Sequence, residues 1–151
     1  MKILRGDLVD YAATGRFDVI IHGCNCFHTM GAGIAKLIAS QFPEALIADK
    51  ETSHGDISKL GSYSTAKVLR GATKFTIVNA YTQHQWRGRG RKVSYDAIQS
   101  CFEKISTEFK EARIGYPQIG AGLAGGDWDI ISDIIDEALS DCDHTLVLFD
   151  G

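Results

Sequence analysis

The sequence predicts an α/β fold in which a largely parallel or mixed sheet is covered by helices on both faces. Three observations predict it. Short runs rich in β-branched residues alternate with longer stretches of helical periodicity along the chain. One run, Phe17 to Ile21, is apolar throughout, as a strand buried on both faces should be. Glycine-rich loops follow two of the strands, where open α/β sheets place their ligands.

Taken in order, Met1 to Leu4 reads as an opening strand closed by Gly6-Asp7. Phe17 to Ile21 is the second strand and runs into a loop composition, Gly23-Cys24-Asn25-Cys26. Gly31-Ala32-Gly33 opens a helix with Ile34, Leu37, Ile38 and Phe42 at helical spacing, and Pro43 marks its end or the start of the next. That next helix covers Glu44 to Glu51. Ser64 to Leu69 alternates like a strand, and Lys74 to Tyr81 is a stronger one. Gln85 to Lys92 has no periodic apolar face and reads as a loop. From Ser94 to Ala112, residues Ala97, Ile98, Cys101, Phe102, Ile105 and Phe109 recur at three- and four-residue steps, the pattern of a long amphipathic helix. Arg113 to Pro117 is a short strand before the loop Gln118 to Asp127; Trp128 to Leu139 is the last helix and His144 to Phe149 the last strand. No repeat, linker or low-complexity tract divides the chain, so residues 1–151 are read as one domain.

The chain is 44% apolar and 23% charged, ordinary for a globular protein, and its length allows roughly 68–70% of the unfolded surface to be buried. A net charge of −3 excludes bulk attraction to nucleic acid, so any bound anion must be held by local geometry. No apolar run has signal-peptide length or approaches the roughly 18–20 residues of a membrane span. Cysteines 24, 26, 101 and 142 are expected as reduced thiols. A cytoplasmic protein with no membrane partner is expected.

Four segments carry candidate chemistry. Gly31-Ala32-Gly33-Ile34-Ala35 joins small residues to a helix start, whose free N–H groups attract anions; glycines needed only for turning are the alternative. In Gln118 to Trp128, glycines 120, 122, 125 and 126 fall within seven residues between a strand and a helix, a natural cradle for phosphate or pyrophosphate. Asp7 stands where it either caps a helix at Leu8 or accepts a hydrogen bond from an exocyclic amine such as that of adenine. In His22-Gly23-Cys24-Asn25-Cys26-Phe27-His28 the spacing is wrong for a structural zinc site, and no metal or other cofactor is expected. Asn25 offers an amide able to bond neighbouring sugar hydroxyls. His22 is either a satisfied core histidine or a general base.

The ordered set Gly6-Asp7-Leu8, IIHGCN (20–25), MGAGIA (30–35), VNAYTQ (78–83) and PQIGAGLAGGDW (117–128) resembles the macrodomain family. More narrowly, it resembles the branch with yeast-type ADP-ribose 1″-phosphate phosphatases and terminal ADP-ribose protein glycohydrolases. The resemblance covers nearly the whole chain and implies a three-layer α/β/α macrodomain that binds ADP-ribose. It implies that Asp7 bonds the adenine amine, assisted by the backbone of Leu8, and that Asn25 contacts the distal ribose. Gly31, Ala32, Gly33 and Ile34, with Gly120, Ala121, Gly122, Leu123 and Ala124, would wrap the phosphates and distal ribose. Trp128 would anchor the last helix.

The glycohydrolase branch has a lysine and an aspartate where this chain has Gln83 and Ala124, and Gln83 cannot form an imine. The match to the phosphatases at Ile21, His22, Cys24, Asn25 and Cys26 favours hydrolysis of ADP-ribose 1″-phosphate. His22 is then expected as base or nucleophile and Asp127 as the acid or water-positioning group. The rivals are a non-catalytic reader of ADP-ribose and a hydrolase removing ADP-ribose from protein or nucleic acid. A nicotinamide oxidoreductase is disfavoured because no G-x-G-x-x-G follows the first strand. Arg87 to Lys92 is either a solvated turn or a basic arm reaching a terminal phosphate or an ADP-ribosylated nucleic acid.

Overall fold

In the computed structural model, which describes residues 1–150, six strands form one sheet in the order β1-β6-β5-β2-β4-β3. The strands are β1 (Lys2–Gly6), β2 (Val19–Cys24), β3 (Tyr63–Arg70), β4 (Thr73–Tyr81), β5 (Arg113–Tyr116) and β6 (Asp143–Phe149). Neighbouring strands are parallel except for the β3–β4 hairpin. The helices are α1 (Leu8–Ala13), α2 (Gly33–Gln41), α3 (Pro43–Lys50), α4 (Tyr95–Glu108) and α5 (Trp128–Ala138), with a 3-10 turn at Ile57–Lys59. The expected mixed, largely parallel sheet is present.

Strand periodicity distributes the core. In β2, Val19 and Ile21 pack with Ile98, Phe102 and Ile105 of α4 and Ile131 and Ile135 of α5. Ile20, between them, points the other way and packs with Val9 of α1, Ile38 of α2 and Ala45 of α3. Two cores on opposite faces of one sheet make the three layers. Trp128 packs against the α4–α5 core, as its anchoring role requires.

The departures are at element ends. β2 begins at Val19 and continues through Gly23 and Cys24, which composition assigned to a loop. Their backbones pair with Ala80 and Tyr81 of β4, and this ladder overrides the low strand propensity of glycine. Pro43 opens α3 at a position that needs no N–H donor. Asp7 does cap a helix, α1, accepting hydrogen bonds through Oδ1 from the N–H groups of Val9 (2.9 Å) and Asp10 (3.3 Å).

Because β1, β6, β5, β2 and β4 run the same way, their carboxyl ends lie along one edge of the sheet. Gly6, Phe149, Pro117, Cys24 and Thr82 stand at or just beyond those ends, and all five line the site described next.

Candidate functional site: a cleft across the strand ends

Two cavities of about 480 and 450 Å³ share Gly33, Ile34, Pro117 and Gln118 and form one continuous cleft. Each falls within the range of small-molecule sites, roughly 300–1,000 Å³. One end is lined by Asp7, Leu8, Leu37 and Phe149. The other is lined by Asn25, Thr29, Thr82, Gln83 and Trp86.

Two rows of backbone amides bracket the middle. The first opens α2, where the N-cap residue is Ala32, with no side chain to accept a capping bond. Among the described residues, the N–H groups of Gly33, Ile34 and Ala35 donate to no backbone or side-chain acceptor. The second row is the glycine loop. Its turns are closed by bonds from Gly125 N–H to Gly122 O (3.0 Å) and from Gly126 N–H to Gly120 O (2.7 Å), while the amides of Gly122, Leu123 and Ala124 stay unbonded among the described residues. Unpartnered donors at a helix start and in a glycine loop attract anions.

The floor is packed closely. A Cβ on Gly23 would lie 2.8 Å from Thr82 Oγ1 and 3.2 Å from the Ile119 side chain, so only glycine fits. Thr82 is buried, and among the described residues its hydroxyl has no hydrogen-bond partner. The Asn25 side chain is tied into its own loop: Nδ2 donates to Thr29 O (3.1 Å) and Oγ1 (2.6 Å), and Oδ1 accepts from Phe27 N–H (2.8 Å). Gln83 donates through Nε2 to Gln85 O (2.9 Å).

Of the residues expected in the site, Asp7 and Leu8 line one end, Gly33 and Ile34 the middle, and Asn25, Gly31, Ala32, Gly120, Gly122, Leu123 and Ala124 the other end. Ala121 does not line the cleft; its N–H turns back to Gln118 O (3.3 Å).

The proposed pair His22 and Asp127 does not converge there. His22 is fully buried on β2, its Nε2 2.6 Å from Oδ1 of Asn79, its register partner on β4. Asn79 passes the network on, donating to Ala45 O in α3 and to Ser64 Oγ, both at 3.0 Å. Burial disfavours the imidazolium and brings the His22 pKa down to about 4, against the weaker upward pull of the Asn79 bond. A base so placed cannot reach a reacting atom in the cleft. Asp127 is exposed and caps α5, accepting from Asp129 N–H at 2.9 Å. Both flank glycine-rich segments in the sequence, which is why they read as site residues; strand pleat and capping send them elsewhere.

Cys24, beside the cleft floor, has its thiol pKa raised well above the ordinary range by burial, so it is no ready nucleophile. Among the described residues no cluster of three or more His, Cys, Asp or Glu is placed to hold a metal. Composition did not single out Thr82, Trp86 or Phe149. The rule that ligands sit beyond strand carboxyl ends points to Thr82 and Phe149, each at the end of a strand legible in the sequence.

A profile of the Macro domain family matches residues 21–135. The chain belongs to the macrodomain family. This macrodomain is 40% identical to an uncharacterized 17.5 kDa protein of the tk-vs intergenic region of Enterobacteria phage T4, over 97% of this chain and 95% of that one. It is 26% identical to an ADP-ribose 1″-phosphate phosphatase of Lodderomyces elongisporus, over 99% of each chain. Among solved structures, the macrodomain of DarG from Mycobacterium tuberculosis superposes with a TM-score of 0.76 at 20% identity, covering 96% of both chains.

Proposed function

We propose that this macrodomain binds ADP-ribose along the cleft and hydrolyses ADP-ribose 1″-phosphate to ADP-ribose and phosphate. The observation that carries the reading is the pair of unbonded amide rows facing one cavity between two chemically different ends. The Asp7 end suits adenine: the helix cap uses Oδ1, leaving Oδ2 to accept from an exocyclic amine, while Leu37 and the 71% exposed Phe149 offer apolar faces to the ring. The pyrophosphate then lies between the α2 start and the glycine loop, and the distal ribose reaches Asn25 and Gln83.

Hydrolysis of the 1″-ester adds water across the P–O bond, with the proton ending on the departing ribose hydroxyl. The amides of Gly122 to Ala124 stabilise charge on the phosphoryl oxygens. The free oxygen of Gln83 and the second lone pair of Asn25 Oδ1 are acceptors that orient the water. The similarity to the Lodderomyces phosphatase over its full length supports this choice of reaction.

A second reading, a reader that binds ADP-ribose without turnover, is favoured by one observation: among the described residues no histidine, lysine or carboxylate lines the Asn25 end. ADP-ribose attached to a protein or nucleic acid is the third substrate class, since the exposed Trp86 lines that end. Four unbridged thiols, three of them buried, suit a reducing compartment such as the cytoplasm.

Calorimetry with ADP-ribose, alongside phosphate release from ADP-ribose 1″-phosphate, tests the proposal. Asp7→Ala is expected to lower affinity at least tenfold, and the wild type is expected to release phosphate. Binding without release moves the assignment to the reader. Absence of binding overturns it.

A further inference from the structure

We propose that His28 is a positioning residue for the distal end of the cleft. Its ring pins the Asn25–Thr29 loop to the segment that follows α3, and the preference for ADP-ribose over a shorter nucleotide depends on that pin. The inference rests on the ADP-ribose reading above, and its test separates the two.

The backbone singles this residue out. Among the described residues, His28 is the only one besides glycines with a positive φ, 60°. A Cβ is crowded in that conformation, and such strain persists only where the surrounding contacts impose it. His28 stands between Asn25 and Thr29, which both line the distal cavity, while its own ring does not. Whatever the ring does for the cleft, it does through the loop.

The ring reaches away from the cleft. Its Nε2 lies 3.2 Å from Oγ1 of Thr52, just beyond the end of α3. Proton counting fixes the direction of this bond. The single hydroxyl proton of Thr52 goes to Asp49 O (2.6 Å), and Lys59 Nζ donates to the same Oγ1 at 2.9 Å. His28 therefore donates through Nε2–H to the remaining lone pair. The ring also meets His54 edge to face, with centroids 5.2 Å apart. Asp49 and Lys59 are both buried, so Thr52 is a fixed anchor.

The two halves of the loop are fastened differently. The first half has backbone bonds: Cys26 N–H donates to His84 O (3.0 Å), and Cys26 O accepts from Gly55 N–H (2.7 Å). In the second half, the N–H groups of His28 and Thr29 donate to no backbone or side-chain acceptor among the described residues. Asn25 and Thr29 bond each other and form one unit. Met30 anchors the far side of the loop by burial in the α1–α3 core. From residues 27–30, the His28–Thr52 bond is the one hydrogen bond that leaves the loop among the described residues. Without it the Asn25–Thr29 unit shifts against Gln83 and the glycine loop, and the distal site is competent only part of the time. The Asp7 end is lined by other elements and does not depend on the pin.

Calorimetry with ADP-ribose and with AMP, alongside melting curves, tests this on the wild type and two variants. His28→Gly keeps the left-handed backbone without strain and removes the ring. It is expected to melt within a few degrees of wild type. Its ADP-ribose affinity is expected to fall roughly five- to tenfold, as a loop competent about 10–20% of the time requires, while its AMP affinity stays unchanged. His28→Gln restores an amide N–H near the position of Nε2 and is expected to recover most of the lost ADP-ribose affinity. A merely structural residue would instead weaken both ligands together, in step with melting temperature. Unchanged ADP-ribose affinity in His28→Gly, a parallel loss of AMP affinity, or no recovery in His28→Gln would each overturn the proposal. So would a His28→Gly protein that melts far below wild type, since the ring would then hold the fold and not the cleft. No ADP-ribose binding by the wild type would overturn the cleft assignment itself.

Discussion

His22 shows how one residue's surroundings decide its role. Its ring is enclosed under α3 and holds Asn79, so it contributes to the fold as a neutral donor. Its pKa falls from the ordinary 6.5 to about 4, with burial as the main cause. The folded state therefore takes up this proton only near pH 4, whereas the unfolded chain takes it up near pH 6.5. The unfolded state binds more protons in that window, so stability falls as the pH drops through it. The full effect is about 3 kcal/mol for a shift of this size. Urea unfolding at pH 7 and pH 4.5 should show this loss in the wild type and a smaller one in His22→Gln, which keeps a donor but does not titrate. His144, also lowered by burial, is present in both proteins and cancels. An equal pH dependence in the two would refute the assignment.

At the scale of the element, the two anion-facing walls differ in what they tolerate. In the glycine loop, a Cβ at Gly122 meets nothing within 4 Å, whereas one at Gly126 would lie 2.6 Å from Gly120 O. Gly122→Ala should therefore melt within a degree or two of wild type yet bind ADP-ribose several-fold more weakly. Gly126→Ala should be strongly destabilised, as expected where packing leaves no room. Similar melting temperatures for the two variants would contradict this account of the loop. The α2 wall makes the complementary case. Ala32 has the extended backbone of an N-cap (φ −146°, ψ 157°) but no capping oxygen. Ala32→Asp should stabilise the free protein by about 1 kcal/mol, the ordinary worth of a cap, while placing a carboxylate in the proposed phosphate path. A higher melting temperature with weaker ADP-ribose binding is expected; a gain in both would rule out phosphate at this helix start.

These walls were legible in the sequence because glycine density and helix starts are local signals. So were most strands and helices, since Phe17 to Ile21 and the spacing from Ala97 to Phe109 are patterns of the chain itself. The extension of β2 through Cys24 depends on pairing with β4, more than fifty residues away, and local composition holds no trace of it. The direction of His22 and the capping role of Asp127 depend likewise on pleat and helix phase. The cleft lining was thus readable where backbone carries the chemistry and misread where side-chain direction does.

For the whole molecule, the cleft lies where two separately packed halves meet. The α2 start belongs to the core built on α1, α2 and α3, and Ala124 of the glycine loop packs with α4 and α5 on the other face. A ligand held by both amide rows therefore bridges the halves across the sheet edge and binds only when both are folded. Binding exclusive to the folded state stabilises it by mass action, about 2.7 kcal/mol at a ligand concentration one hundred times Kd. For a domain of this size each kcal/mol raises Tm by roughly 2–4 °C, so ADP-ribose at that level should raise Tm by about 5–10 °C. The increment should grow with the logarithm of concentration. On the proposed placement of adenine at the Asp7 end, AMP would fill that end and one phosphate position only, so at equal concentration it should raise Tm by less. Scanning fluorimetry across an ADP-ribose and an AMP series measures both. Equal shifts for the two ligands would show that the distal half of the cleft contributes nothing to binding, and would confine the site to the Asp7 end.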